Sequence, residues 1–229
     1  KETEKNLYDE KIIYLKNSPL CFDDTLELNE NKNRSDFNLP LDGFLFACFN
    51  NSYKISSIEF DIWMNILKRI DKSILWLYKS NDYSEINLKK ESEKRGVESS
   101  RIIFADRVPN DLHLSRIKCA DLFLDTFNYN AHTTASDALW ANIPIITRQG
   151  KSFSARVCSS LLKSLELDEL IVKNNTEYEE KALFIAKNKN YLKELKFRLN
   201  QNKLKSSLFD SEKFTRNLEK LYLKLMKGF

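Results

Sequence analysis

The chain has 229 residues, 42% of them hydrophobic and 12% aromatic, enough to bury a substantial globular core in one large domain or one domain with extensions. A formal net charge of +4, small beside 37 Lys and Arg and 33 Asp and Glu, excludes a nucleic-acid-coating protein and describes a mixed surface with a mild preference for anions. No apolar run approaches the ~18 residues that span a bilayer, and no secretory signal pattern opens the chain.

The chain begins with Lys1 rather than Met, which predicts a piece of a longer polypeptide. Residues 1–40 contain one short apolar stretch, KIIYL at 11–15, a strand candidate, followed by a polar run that reads as an exposed connector. From residue 41 onward the rhythm is regular. An apolar run at 44–49 has strand length, and the next segment places Ile62, Trp63, Ile66, Leu67 and Ile70 on one helical face. Ser56 and Glu59 at its front match a capping box. Further strands are predicted at 74–78, 102–104, 122–124 and 144–147. Helices are predicted at 83–95, closed by Gly96, at 111–118 and at 133–140. Beyond about residue 175 the chain reads as helices, the last carrying Phe214, Leu218, Leu221, Tyr222 and Leu225 on one stripe. Short apolar strands alternating with helices predict an α/β fold, a Rossmann-like doubly wound parallel sheet, with a helical C-terminus.

Ligands of such a sheet bind beyond the carboxyl ends of the strands. NYNAHTTASDALW (128–140) lies there, where a loop enters a helix, and it holds one of only two histidines. A helix start offers unpaired N–H groups and the positive end of the macrodipole. With Thr133, Thr134 and His132 it makes a phosphate receptor without a glycine-rich loop. Asp137, one turn later, suits an uncharged diol such as a ribose. On this segment alone a plain threonine cap and a surface-loop histidine carry more weight, since caps are common. FNNSYKIS (49–56), with Lys54, and DRVPNDLHLSR (106–116), with His113 and Arg116, fall on the same edge of the sheet, and that shifts the balance. Two distant histidines and four scattered cysteines give no metal-ligand spacing, so no metal is expected; the cysteines also agree with a cytoplasmic setting.

FACFNNSYKIS, RIIFADRVPNDLHLSR and ADLFLDTFNYNAHTTASDALWANIPIIT together resemble the C-terminal catalytic lobe of the O-GlcNAc transferase and Spindly-type glycosyltransferases, which carry tetratricopeptide repeats. The likeness runs from about residue 9 to the end. It implies the C-terminal lobe of a two-lobe, GT-B type enzyme, with residues 1–40 as an inter-lobe connector and 41–229 as the lobe that binds the nucleotide sugar. It further implies that His132, Thr133 and Thr134 meet the pyrophosphate and that Asp137 holds the donor ribose. By the same likeness Lys54 contacts the diphosphate and supports the leaving group, and Asn51 stands near the same phosphates in place of a glutamine. His113 and Arg116 match residues around the uracil. Three departures stand out. Asn110 replaces a lysine beside the base, Asn142 replaces a glycine in a turn that needs a left-handed residue, and Glu166 replaces another glycine.

The implied donor is UDP-N-acetylglucosamine or a related UDP-sugar, the implied acceptor a protein Ser or Thr. No metal cofactor, nucleic acid or membrane partner is expected. The N-terminal lobe and the repeats are absent from these residues, so the segment alone is expected to bind donor rather than turn it over. Two alternatives remain open here. One is a non-catalytic module that binds a sugar nucleotide or a partner. The other is a protein O-fucosyltransferase using GDP-fucose, although threonine takes the place of the HTT histidine in that branch, which favours UDP.

Overall fold

A computed structural model describes residues 8–15, 20–28 and 32–227. Six strands form one parallel sheet in the order β3-β2-β1-β4-β5-β6. They are β1 (Leu45–Cys48), β2 (Ile74–Tyr78), β3 (Ile102–Ala105), β4 (Leu122–Leu124), β5 (Ile145–Arg148) and β6 (Ile171–Val172). Helices α1 (Ser57–Arg69), α2 (Asp82–Lys94), α3 (Asn110–Ile117) and α4 (Thr133–Trp140) supply the first crossovers. They are followed by α5 (Val157–Ser164), α6 (Asn175–Lys187), α7 (Lys189–Lys203) and α8 (Ser211–Met226). The chain builds outward from β1 to β3, then returns to place β4 on the other side of β1. The order reverses between β1 and β4, and that reversal opens a crevice at their carboxyl ends.

The strands are apolar on both faces because helices cover both. Phe46, Ala47 and Cys48 of β1 and all of β4 are essentially inaccessible. Trp63 of α1, Trp76 of β2, Phe123 of β4 and Tyr178 of α6 are the bulkiest parts of the same core. Below the sheet, Arg34 ties the chain entering β1 to the chain entering β4. Its guanidinium donates to Gly43 O, Cys119 O and Asp121 Oδ2 at 2.9, 3.2 and 2.8 Å. Gly43 has φ +92°, and a Cβ there would lie 2.0 Å from Lys72 O, so only glycine fits.

The helices and strands expected from sequence form, with shifts of one residue at several ends. Asn142 and Glu166 adopt φ of 64° and 54°, the left-handed conformation that such turns require. Four features differ. Residues 11–15 form no strand. The expected connector is partly docked rather than exposed. Phe22 is buried against Trp140 and Phe209 at 5.6 and 5.2 Å, and Asp24 accepts from Ser211 N and Oγ at the start of α8. Ser56 does precede α1, yet its hydroxyl bonds the Glu59 carboxylate instead of a backbone N–H. Finally, α5 and β6 add a helix and a sixth strand that no sequence pattern announced.

Candidate active site

A cavity of about 870 Å³ opens at the crevice between β1 and β4. One wall is the segment after β1, with Asn51, Tyr53 and Lys54; another is the segment after β3 and the start of α3, with Val108, Asn110 and His113. Thr133 and Thr134 at the start of α4 face it from the third side. Three chain segments far apart in sequence thus converge because each follows a strand of the same sheet.

Lys54 ends a short 3-10 turn, Ser52–Lys54, whose N-cap is Asn51. The lysine is half-buried. Its Nζ donates to Asn130 O at 3.2 Å and lies 3.9 Å from the centroid of the Tyr129 ring. Burial lowers its pKa, and the nearby Asp125 carboxylate opposes that shift. Asn51 lines the cavity and its Oδ1 accepts from Ser80 Oγ at 3.1 Å.

Across the cavity, Arg116 and His113 sit one turn apart on α3. Arg116 is 4% exposed and packs over Phe49 and Trp76. Its Nε donates to His113 Nδ1 at 3.0 Å, and another guanidinium nitrogen donates to Asp106 O at 2.6 Å. Nδ1 therefore accepts, and a neutral His113 carries its proton on Nε2. Burial, then the adjacent guanidinium, push the His113 pKa down to about 4, so the ring is neutral at pH 7. An edge-on contact with Phe49 at 5.1 Å fixes its plane. Arg116 lines the cavity, but its main contacts are structural: it orients His113.

The start of α4 behaves differently from a simple reading of its side chains. The first helical bonds run from Ala135 and Ser136 to His132 O, so the N–H groups of Thr133 and Thr134 have no intrahelical acceptor. Thr133 is exposed and free to present its hydroxyl. The Thr134 hydroxyl instead donates to Asn50 Oδ1 at 2.6 Å. The imidazole of His132 is turned away from the cavity wall, with Nε2 3.2 Å from Ser154 O, and it stacks on Tyr129 at 4.8 Å. Burial lowers its pKa, and in the neutral ring the contact with the Ser154 carbonyl puts the proton on Nε2 and leaves Nδ1 an acceptor. In this geometry the donors that the segment leaves open are backbone N–H groups and the Thr133 hydroxyl, while the His132 and Thr134 side chains engage Ser154 O and Asn50 Oδ1. Asp137 lies one turn further along and is not on the cavity wall. Burial alone raises its pKa to about 6.

Behind the wall lies a buried polar network that sequence reading did not single out. Asp125, at the end of β4, is fully buried. Its Oδ1 accepts from Thr126 N, Ala131 N and Asn50 Nδ2 at 2.8, 2.6 and 3.3 Å, and its Oδ2 accepts from Thr147 Oγ1 at 2.6 Å. Burial outweighs these donors and raises its pKa to about 7. The carboxylate closes the loop 125–131 on itself, and Asn130 adds a bond to Thr126 O. The sequence signal was present, since Asn50 and Asp125 are polar residues directly beyond apolar strands. Among the described residues, no three His, Cys, Asp or Glu side chains converge as a metal site, and no helix is long and apolar enough to cross a membrane.

Residues 26–218 match the family described as glycosyl transferase family 41. The chain is 37% identical to a probable UDP-N-acetylglucosamine–peptide N-acetylglucosaminyltransferase SEC of Arabidopsis thaliana, over 96% of this chain and 23% of that protein. It is 33% identical to the UDP-N-acetylglucosamine–peptide N-acetylglucosaminyltransferase of Caenorhabditis elegans, over 86% of this chain and 17% of that protein. The chain therefore spans about a quarter or less of the length of these relatives. Among solved structures, a mutant Thermobaculum terrenum O-GlcNAc transferase superposes with a TM-score of 0.74 at 30% identity, over 79% of this chain and 35% of that one. A sucrose-phosphate synthase from Thermosynechococcus elongatus superposes at 0.68 with 13% identity, which shows a shared fold alone. The switch-point cavity, the sheet order around it and the match across residues 26–218 together establish that this chain belongs to glycosyl transferase family 41.

Proposed function

We propose that the chain is the donor-binding half of a protein O-GlcNAc transferase, which moves N-acetylglucosamine from its UDP-sugar to a Ser or Thr hydroxyl of a protein. The observation that carries this reading is the half-buried Lys54 ammonium facing the same cavity as the open N–H groups of Thr133 and Thr134. A sugar leaving a nucleoside diphosphate places negative charge on the β-phosphate. Lys54 and the α4 N-terminus supply fixed positive potential for that charge, and they need no reorganisation as it develops. This division of labour requires no divalent cation.

On this reading the nucleobase lies against the wall formed by Val108, Asn110 and His113, with the Nε2–H of His113 as a donor to a base carbonyl. Asp137, one turn into α4, is assigned to the ribose hydroxyls, which offer a partner to its raised carboxyl. The general base and most acceptor contacts belong to an upstream lobe, beyond which tetratricopeptide repeats recruit protein substrates. The free cysteines suit a cytoplasmic enzyme.

Calorimetric titration with UDP and GDP, each with and without EDTA, tests the proposal. UDP is expected to bind more tightly than GDP and equally well in EDTA. Tighter GDP binding would favour the fucosyl donor, and loss of UDP binding in EDTA would overturn the metal-free account.

A further inference from the structure

Two half-buried lysines near this sheet are held by carboxylates, while the half-buried Lys196 donates to Ala120 O at 3.2 Å. Lys79 pairs with Asp82 and Glu85 at 3.0 and 3.2 Å, and Lys89 pairs with Glu85 at 2.7 Å. Lys54 differs from Lys79 and Lys89. Among the described residues it makes no ion pair, and the carboxylate that acts on it through space, Asp125, is fully buried with both oxygens already accepting. Its contacts are the Asn130 carbonyl at 3.2 Å and the face of Tyr129, with Nζ 3.9 Å from the ring centroid.

Tyr129 is itself well anchored. Its carbonyl accepts from Thr126 Oγ1 at 2.6 Å, and its ring is stacked with His132 at 4.8 Å and 26°. Thr126 is part of the network around Asp125 and Asn50, so the backbone that carries the ring is tied to the buried framework.

We infer that Tyr129 is the positioning residue of Lys54: its ring fixes the ammonium at the cavity without neutralising it. A carboxylate would hold a lysine as firmly but would cancel the charge that a diphosphate has to meet. An aromatic face attracts a cation through its quadrupole while carrying no net charge. It also restricts a four-carbon stem whose rotamer freedom otherwise opposes binding. The inference rests on the reading of this cavity as a diphosphate site.

Two variants test it, Tyr129→Leu, which removes the ring, and Tyr129→Phe, which keeps it. Titration with UDP and with uridine separates phosphate contacts from base and ribose contacts. Tyr129→Leu is expected to weaken UDP binding by roughly five- to tenfold, the range of a partly desolvated cation–π contact, and to leave uridine binding within about twofold. Tyr129→Phe should retain the parent values, and in a Lys54→Ala background the Leu variant should cause no further loss of UDP affinity. Equal loss of UDP and uridine, or unchanged UDP binding in Tyr129→Leu, would overturn the inference. A ligand-free measurement keeps it separate from the nucleotide reading. Labelling of Lys54 by an amine reagent should accelerate in Tyr129→Leu and not in Tyr129→Phe. An unchanged rate overturns the role of Tyr129, whereas failure of the parent protein to bind UDP overturns only the diphosphate reading.

Discussion

The hydroxyl of Thr134 donates to Asn50 Oδ1 at 2.6 Å, joining the first turn of α4 to the end of β1 across the topological switch point. Asn50 is 1% exposed, and its amide nitrogen donates to Thr126 Oγ1 at 2.7 Å and Asp125 Oδ1 at 3.3 Å. The relationship sets the entry angle of the helix whose N–H groups face the cavity. It also engages the only proton of the Thr134 hydroxyl, so that oxygen presents lone pairs to a ligand.

Removing the hub should therefore be costly. Asn50→Ala leaves Thr134, Thr126 and Asp125 with unsatisfied buried bonding capacity, and it should destabilise the protein by about 2–3 kcal/mol. Thr134→Val removes one arm and should cost about 1 kcal/mol. Urea denaturation of both and of the double variant checks the coupling. Costs that simply add would show that the two side chains do not act as a unit.

Lys54→Ala separates ligand contact from folding. The side chain is half-buried but carries no ion pair among the described residues, so the melting temperature of the ligand-free protein should scarcely move. Charge-assisted bonds to phosphate are worth about 1.5–3 kcal/mol, so UDP affinity should fall by roughly tenfold or more. Equal affinity in variant and parent would return Lys54 to an ordinary surface role.

The Asp137 carboxyl has a folded-state pKa raised to about 6 by burial. The folded chain therefore binds the proton more tightly than the unfolded chain. The stability this group contributes is present below the ordinary aspartate pKa and is lost as pH rises through about 6. Asp137→Asn removes that dependence. Relative to the variant, the parent protein should lose on the order of 2 kcal/mol between pH 4 and pH 7. Comparing the two by denaturation at several pH values cancels the contributions of Asp125 and His113, which titrate in both. A constant difference across this range would show that the carboxyl is not desolvated in solution.

The final prediction concerns activity. Residues 1–229 should bind UDP yet transfer no sugar to a mixed peptide pool in a radiolabel assay, and an upstream lobe supplied with them should restore transfer. The apolar stripe on α8 agrees with a lobe that continues elsewhere. Tyr222, Leu223 and Met226 are 57%, 56% and 84% exposed. Robust transfer by this chain alone would place the general base and acceptor site within it.

Much of the architecture was legible in the primary structure. Apolar runs of strand length followed by helical periodicity identify β1 through β5 and their crossovers, because burial on both faces leaves no other composition for a parallel strand. The short β6 and the serine-rich α5 escaped for the opposite reason: two residues have no period, and an apolar stripe on a helix of eight residues, about two turns, can belong to a loop. The run at 11–15 misled because apolar content alone does not supply a strand with a pairing edge.

At the site, the sequence by itself determined which residues stand near the crevice, since each follows a strand whose carboxyl end faces it. Side-chain direction was decided only by tertiary contacts between segments remote along the chain. His132 turns to the carbonyl of Ser154, 22 residues away, which also accepts from Asn130 N at 2.9 Å. Arg116 is buried because Phe49, Trp76 and the Asp106 carbonyl surround it, and in that position it selects the tautomer of His113. Asn50 and Asp125 meet across 75 residues, at the one place where the strand order reverses. Local sequence encodes periodicity and the placement of polar residues at strand ends. Which donor finds which acceptor depends on desolvation, and that exists only once the sheet has closed over its core.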